Sequence, residues 1–305
     1  MNEKITCRVL TGPTASGKSA MAVRLAKEQG WEIICMDSMQ IYRGMNIGTA
    51  KPTSEEQQLV PHFMMDICDP TETFSVSEYR DQTEKIILEE HEKGKEILLV
   101  GGTVLYLQAM MHPMSMGNVP QNPELRQRLN RQAETTEGRE KLHEQLKRID
   151  PGTAGRLPVN DVRRVIRAIE VWEATGIPFS EQPERECESR FRWKAVSTQM
   201  DRELLYGRIN SRVTEMIERG LKKEVESLLM SGVPETAQSM NGIGYKEMIP
   251  CIRGEYGLED AAEKIRLATR HYAKRQMTFL RREECIRYVR TDRDGAYEEI
   301  RQNLL

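Results

Sequence analysis

Residues 10–23, LTGPTASGKSAMAV, run from an apolar strand end through a glycine-rich turn, a lysine and a hydroxyl into a helix-forming segment. Within them Gly12-Pro-Thr-Ala-Ser-Gly-Lys18-Ser19 matches the spacing G-x-x-x-x-G-K-[ST], in the strand-to-helix context that gives the pattern its meaning. Loop amides and the positive end of the helix cradle phosphate oxygens, Lys18 neutralises them, and the Ser19 hydroxyl offers a ligand to Mg2+. The pattern recognises only a phosphoryl chain and its metal. Whose phosphate it is must be read elsewhere.

Apolar runs of strand length occur at Cys7–Leu10, Ile33–Met36, Phe63–Ile67, Ile97–Val100 and Ala195–Thr198, and segments of helical period separate the first four. Such alternation predicts an α/β fold, a P-loop-type parallel sheet flanked by helices. Thr53-Ser-Glu-Glu56 and Ser75-Val-Ser-Glu78 read as capping boxes, and Asp201 as the cap of the helix beginning RELLYGRINSR. Between about Pro113 and Trp193 the strands stop. PELRQRLNRQ, REKLHEQLKRID and NDVRRVIRAIEVWEATG are polar, arginine-rich helices, so residues 113–192 are expected to form an all-helical insertion in a core made of 1–112 and 193–305. A helical stretch is expected from Asp201 to about Arg282.

The chain has 38% hydrophobic and 30% charged residues, the balance of a soluble globular protein. Its formal charge of −2 confines any nucleic-acid contact to a segregated basic face. The most apolar run, Ile97–Val100, falls far short of the about 20 residues a membrane span needs, and MNEKITCRVL has no basic-then-apolar leader, so a cytoplasmic protein is expected. Cys7, Cys35, Cys68, Cys187, Cys251 and Cys285 form no Cys-x-x-Cys pair, which predicts reduced thiols. His62, His91, His112, His143 and His271 show no metal-ligand spacing.

A kinase using the loop for ATP needs a metal-ordering acid at the end of a second apolar strand. EILLVGGT ends in Gly101-Gly102-Thr103 instead. The acid stands in IICMDSMQIY, at the end of the strand that follows the loop's helix. Ligands lie outside the carboxyl ends of parallel strands, so Asp37 and the loop are expected to face one crevice. A turn or cap residue without chemistry is the plainer alternative for Asp37.

GPTASGKS, DSMQIYRGMNIGTAKPT, PHFMMDICDP, LLVGGTVLYLQAM, NDVRRVIRAIEV and ATRHYAKRQMTFLRR, in this order across nearly the whole chain, resemble the tRNA dimethylallyltransferase (tRNA isopentenyltransferase) family. The resemblance implies transfer of a dimethylallyl group from dimethylallyl diphosphate to the exocyclic amine of adenosine 37, beside the anticodon, in tRNAs reading codons that begin with U. It implies that Gly12, Thr14, Ala15, Ser16, Gly17, Lys18 and Ser19 hold the diphosphate, that Asp37 is the base facing the adenine, and that Thr103 contacts the substrates. Arg212, with Arg208 one helical turn away, matches the diphosphate-contacting arginine. Ser38, Met39, Gln40, Arg126, Arg163, Arg164, Arg167, Asn241, Gly242, Gly244, Tyr245, Lys246 and Arg281 match segments that face the tRNA anticodon stem-loop. Val104, Phe63 and Phe279 replace the glycine, histidine and tryptophan usual at their positions. The chain ends without the zinc-finger extension of eukaryotic relatives, which implies a bacterial type, and a monomer is expected.

From Arg266 to Arg282 there are six Lys/Arg residues and no acid, with Arg266, Arg270 and Lys274 on one helical face. A phosphate-binding stripe is expected there. In RRVIRAIEVW, Val165, Ile169 and Trp172 are expected to pack and the arginines to be exposed. The alternatives are a small-molecule or nucleoside kinase and a phosphate-loop RNA-binding switch without transfer chemistry.

Overall fold

The computed structural model describes residues 4–112, 119–183 and 190–305, so Pro113 and Cys187 lie outside the described residues. The chain divides into two compact units, Met1–Met111 with Ser189–Leu305, and His112–Glu188. The first begins with β1 (Ile5–Thr11), α1 (Lys18–Gln29), β2 (Glu32–Cys35), α2 (Ser54–Leu59), β3 (His62–Phe63), α3 (Val76–Glu92), β4 (Ile97–Gly101) and α4 (Val104–Met111). The second holds α5 (Pro123–Gln132), α6 (Thr136–Ile149), α7 (Pro151–Ala154) and α8 (Val162–Thr175) and, among its described residues, no strand. The first unit then resumes with β5 (Phe191–Gln199), α9 (Arg202–Glu218), α10 (Leu221–Met230), α11 (Tyr245–Ile252), α12 (Leu258–Leu280), β6 (Ile286–Arg290) and α13 (Ala296–Leu304).

One six-stranded sheet runs in the order β3-β2-β4-β1-β5-β6, every neighbouring pair parallel. In β1, Cys7 and Val9 pack into one layer and Leu10 into the other, so the strand reads as an unbroken apolar run. Both capping boxes form. The Thr53 hydroxyl accepts from the Glu56 amide and the Ser75 hydroxyl from the Glu78 amide, while each glutamate returns a bond to the cap's own N–H. Asp201 takes the amides of Glu203 and Leu204 at 2.8 and 3.3 Å.

Two strand expectations are corrected. Phe63–Ile67 shrinks to His62–Phe63, because Met64 and Asp66 turn to φ of +59° and +54° and leave extended geometry. The Asp66 side chain pairs there with the buried Lys51 ammonium, which also donates to the Tyr42 carbonyl. At the opposite edge β6 forms where no strand was expected; its sequence IRYVR buries Ile286 and Val289 and exposes both arginines, which disguises it as a polar segment.

In the second unit Leu125, Leu129, Leu142, Leu146, Val165 and Ile169 make the core, while Trp172 is only half-buried. Arg163 and Arg164 are exposed as expected. Arg126 and Arg167 are not free surface arginines. Glu170, buried at 1% exposure, takes Arg126 through both oxygens at 2.8 and 2.7 Å and Arg167 at 2.7 Å. Desolvation alone would raise the Glu170 pKa, yet these bonds hold it below the usual carboxylate value.

Candidate active site

β1 ends at Thr11 and the loop turns at once into α1, whose first residue is Lys18. Three non-standard backbone conformations make that turn, with φ of +137° at Gly12, +63° at Ala15 and +86° at Gly17. Gly12 also lies against β5, where an added Cβ would sit 2.0 Å from Thr198 Oγ1. Gly12→Ala is therefore expected to lower the free energy of unfolding by about 2 kcal/mol or more, read from the shift in a denaturant midpoint. The Ser16 hydroxyl is turned inward onto Thr198 Oγ1 at 2.7 Å, so the loop does not present this side chain. No side chain caps α1, and its first turn carries no acid, which leaves the positive helix end to a ligand.

Lys18 is half-buried and donates to the Pro13 carbonyl at 3.3 Å. Burial, then the nearby Arg212 charge, pushes its pKa down to about 8, although Asp37 pulls in the other direction. Arg212 on α9 donates to Thr14 Oγ1 at 3.3 Å, and burial lowers its pKa as well, again against the pull of Asp37. Arg208 stands one turn earlier on the same face, its guanidinium 3.6 Å from where a Gly17 Cβ would project. Three cations thus attend one loop.

Asp37 follows β2 and, like the loop, sits at the carboxyl end of the sheet. Its Oδ1 accepts from the amides of Met39 at 2.9 Å and Gln40 at 3.4 Å, so the turn role is real. Oδ2 has no partner among the described residues, leaving a lone-pair edge for a proton. Thr103, just after β4, accepts the Ser38 amide at 3.0 Å and donates its own amide to the Met36 carbonyl at 3.1 Å. Loop, carboxylate and Thr103 are therefore brought together.

The IPP transferase family model matches residues 40–283. The chain belongs to that family. A tRNA dimethylallyltransferase of Caldanaerobacter subterraneus subsp. tengcongensis is 42% identical over 300 residues, 97% of this chain and 95% of the relative. One from Pelotomaculum thermopropionicum is 43% identical over 304 residues, 99% and 96% of the two chains. Among solved structures, the tRNA isopentenylpyrophosphate transferase of Bacillus halodurans is similar at a TM-score of 0.72 with 39% identity, covering 98% of this chain and 95% of that one. A eukaryotic dimethylallyltransferase acting on tRNA reaches a TM-score of 0.78 at 26% identity, covering 97% and 78%.

The remaining sites expected for an IPP transferase divide by exposure. Asn241, Lys246, Lys274 and Arg281 are exposed, and Ser38 and Met39 half-buried. Gln40 spends its amide internally, donating to the carbonyls of Thr49 and Ala50 and accepting from the Cys35 thiol. Gly242, Gly244 and Tyr245 are buried. The Tyr245 hydroxyl donates to Glu224 at 2.6 Å, and Glu224 in turn accepts the amides of Asn46, Ile47 and Gly48 at 3.0, 2.8 and 3.1 Å. Two arginines of the basic stripe have partners within the chain. Arg266 is bound to Glu259 and Glu263, and Arg270, half-buried, donates to Asn210 on α9 at 2.7 Å. Sequence reasoning missed Gln276, a buried amide that touches both the loop and the end of β4.

Proposed function

We propose that the chain is an enzyme that transfers the dimethylallyl group of dimethylallyl diphosphate to the N6 amine of adenosine 37, in tRNAs reading codons that begin with U, and releases diphosphate. The observation that carries this reading is a phosphate loop attended by Lys18 and Arg212, both of which feel the charge of Asp37 at the end of the next strand. An adenine amine is a poor nucleophile because its lone pair is delocalised into the ring, whereas an allylic diphosphate ionises readily once its leaving group is neutralised. The adenosine is splayed out of its loop at a cost of a few kcal/mol. Loop amides, Lys18, Arg208 and Arg212 take up the charge that develops as the C–O bond breaks. N6 bonds to the allylic carbon and its proton passes to Asp37 Oδ2.

Among the described residues no cluster of three acidic, histidine or cysteine side chains makes a metal cage. The exposed Ser19 hydroxyl, an oxygen donor at the start of α1, would hold Mg2+ together with diphosphate oxygens and water, and the ion would supply charge neutralisation of the leaving group. No helix among the described residues is long and apolar enough to cross a membrane; a cytoplasmic monomer is part of the proposal. A kinase is disfavoured because β4 ends in Gly101, followed by Gly102 and Thr103, with no acid.

Incubation of the purified protein with labelled dimethylallyl diphosphate, Mg2+ and bulk tRNA is expected to yield labelled N6-(dimethylallyl)adenosine on nucleoside analysis. Unlabelled tRNA together with ATP-dependent phosphorylation of a small molecule would replace this reading with the kinase. Phosphate contact by the exposed cations has its own signature. Lys274→Ala with Arg281→Ala is expected to reduce the slope of log tRNA affinity against log salt by about 0.7 to 0.9 per lost contact, whereas Arg266→Ala, already paired, leaves the slope unchanged.

A further inference from the structure

Gln276 lies on α12 at 3% exposure, and its carboxamide joins two segments far apart in sequence. Oε1 accepts the Thr14 amide at 3.0 Å and Nε2 donates to the Gly102 carbonyl at 2.8 Å. Neither end can exchange roles, because an N–H only donates and a carbonyl only accepts, so the amide has one orientation. The fit is close. A Cβ added at Gly102 would come within 2.2 Å of Nε2.

Each partner leads to a different half of the site. Thr14 is also the residue whose hydroxyl accepts from Arg212. Gly102 precedes Thr103, which holds the Ser38 amide beside Asp37. We propose that Gln276 is a positioning residue for the transfer, fixing the diphosphate loop relative to the Asp37 turn so that leaving group and base act across one set distance. The proposal rests on the transfer reading above.

Gln276→Met keeps the length but makes neither bond. Its single-turnover rate at saturating donor and tRNA is expected to fall about 10²-fold, the cost of a displacement of about 1 Å, with tRNA affinity within about twofold of the unchanged protein. Gln276→Glu separates positioning from simple support. Protonated, the carboxyl reproduces the amide, its C=O accepting from Thr14 and its O–H donating to Gly102; ionised, it sets an oxygen against the Gly102 carbonyl. Burial favours the protonated form of such a carboxyl. The rate of this variant, divided by that of the unchanged protein at each pH, is expected to rise at least tenfold between about pH 8 and about pH 6, while the Gln276→Met ratio stays flat. A flat ratio for Gln276→Glu overturns the proposal, whether or not the Met variant folds. Absence of transfer by the unchanged protein overturns the functional reading and the proposal with it.

Discussion

Asp37→Asn is expected to keep the fold, donor binding and tRNA binding, and to slow single-turnover transfer by a factor on the order of 10²–10⁴, the usual contribution of a positioned base. Asparagine retains an oxygen that can accept the Met39 and Gln40 amides, so the turn survives. What it loses is the ability to take a proton at the second position, where Oδ2 stood. A folded variant that binds both substrates and transfers at a near-normal rate would reduce Asp37 to a turn residue.

Lys18→Ala is expected to lower transfer by a factor on the order of 10²–10³, the effect of removing one preorganised donor from a developing anion, with tRNA affinity nearly unchanged. Its pH signature follows from the pKa of about 8. The ammonium form binds the diphosphate, and the bound anion raises the lysine pKa above its value in the free protein. Donor affinity is therefore full below about pH 8 and falls as pH rises through it, by at most tenfold per unit. The Ala variant binds more weakly throughout, without that decline. An equal loss of tRNA binding would place Lys18 elsewhere in the cycle.

The parallel core was legible because each central strand is apolar on both faces and the helices that follow Thr53, Ser75 and Asp201 begin with a recognisable cap. The position of Asp37 was legible because it follows a strand-forming run, whereas Thr103 was singled out through the family resemblance alone. The ion pairs of Arg266 were not legible within the acid-free stretch because Glu263 and Glu259 lie just before it, one and two turns back on the same helix. The bond from the Tyr245 hydroxyl to Glu224 was not legible because it joins residues brought together only by tertiary packing. Gln276 offered one signal. It falls between Ala273 and Leu280 on the buried face of α12, where an amide needs a reason to be. The partners themselves, Thr14 and Gly102, are set by tertiary packing and no local pattern contains them.

Glu224 supplies a resident anion to the consecutive amides of Asn46, Ile47 and Gly48. Three neighbouring N–H groups pointing one way would otherwise attract phosphate wherever a nucleic-acid backbone passed. Filling them from within is a form of self-occlusion. Residues 46–48 thus present a carboxylate where Gly12–Ser19 present a loop attended by Lys18, Arg208 and Arg212, so two similar backbone turns carry opposite charge.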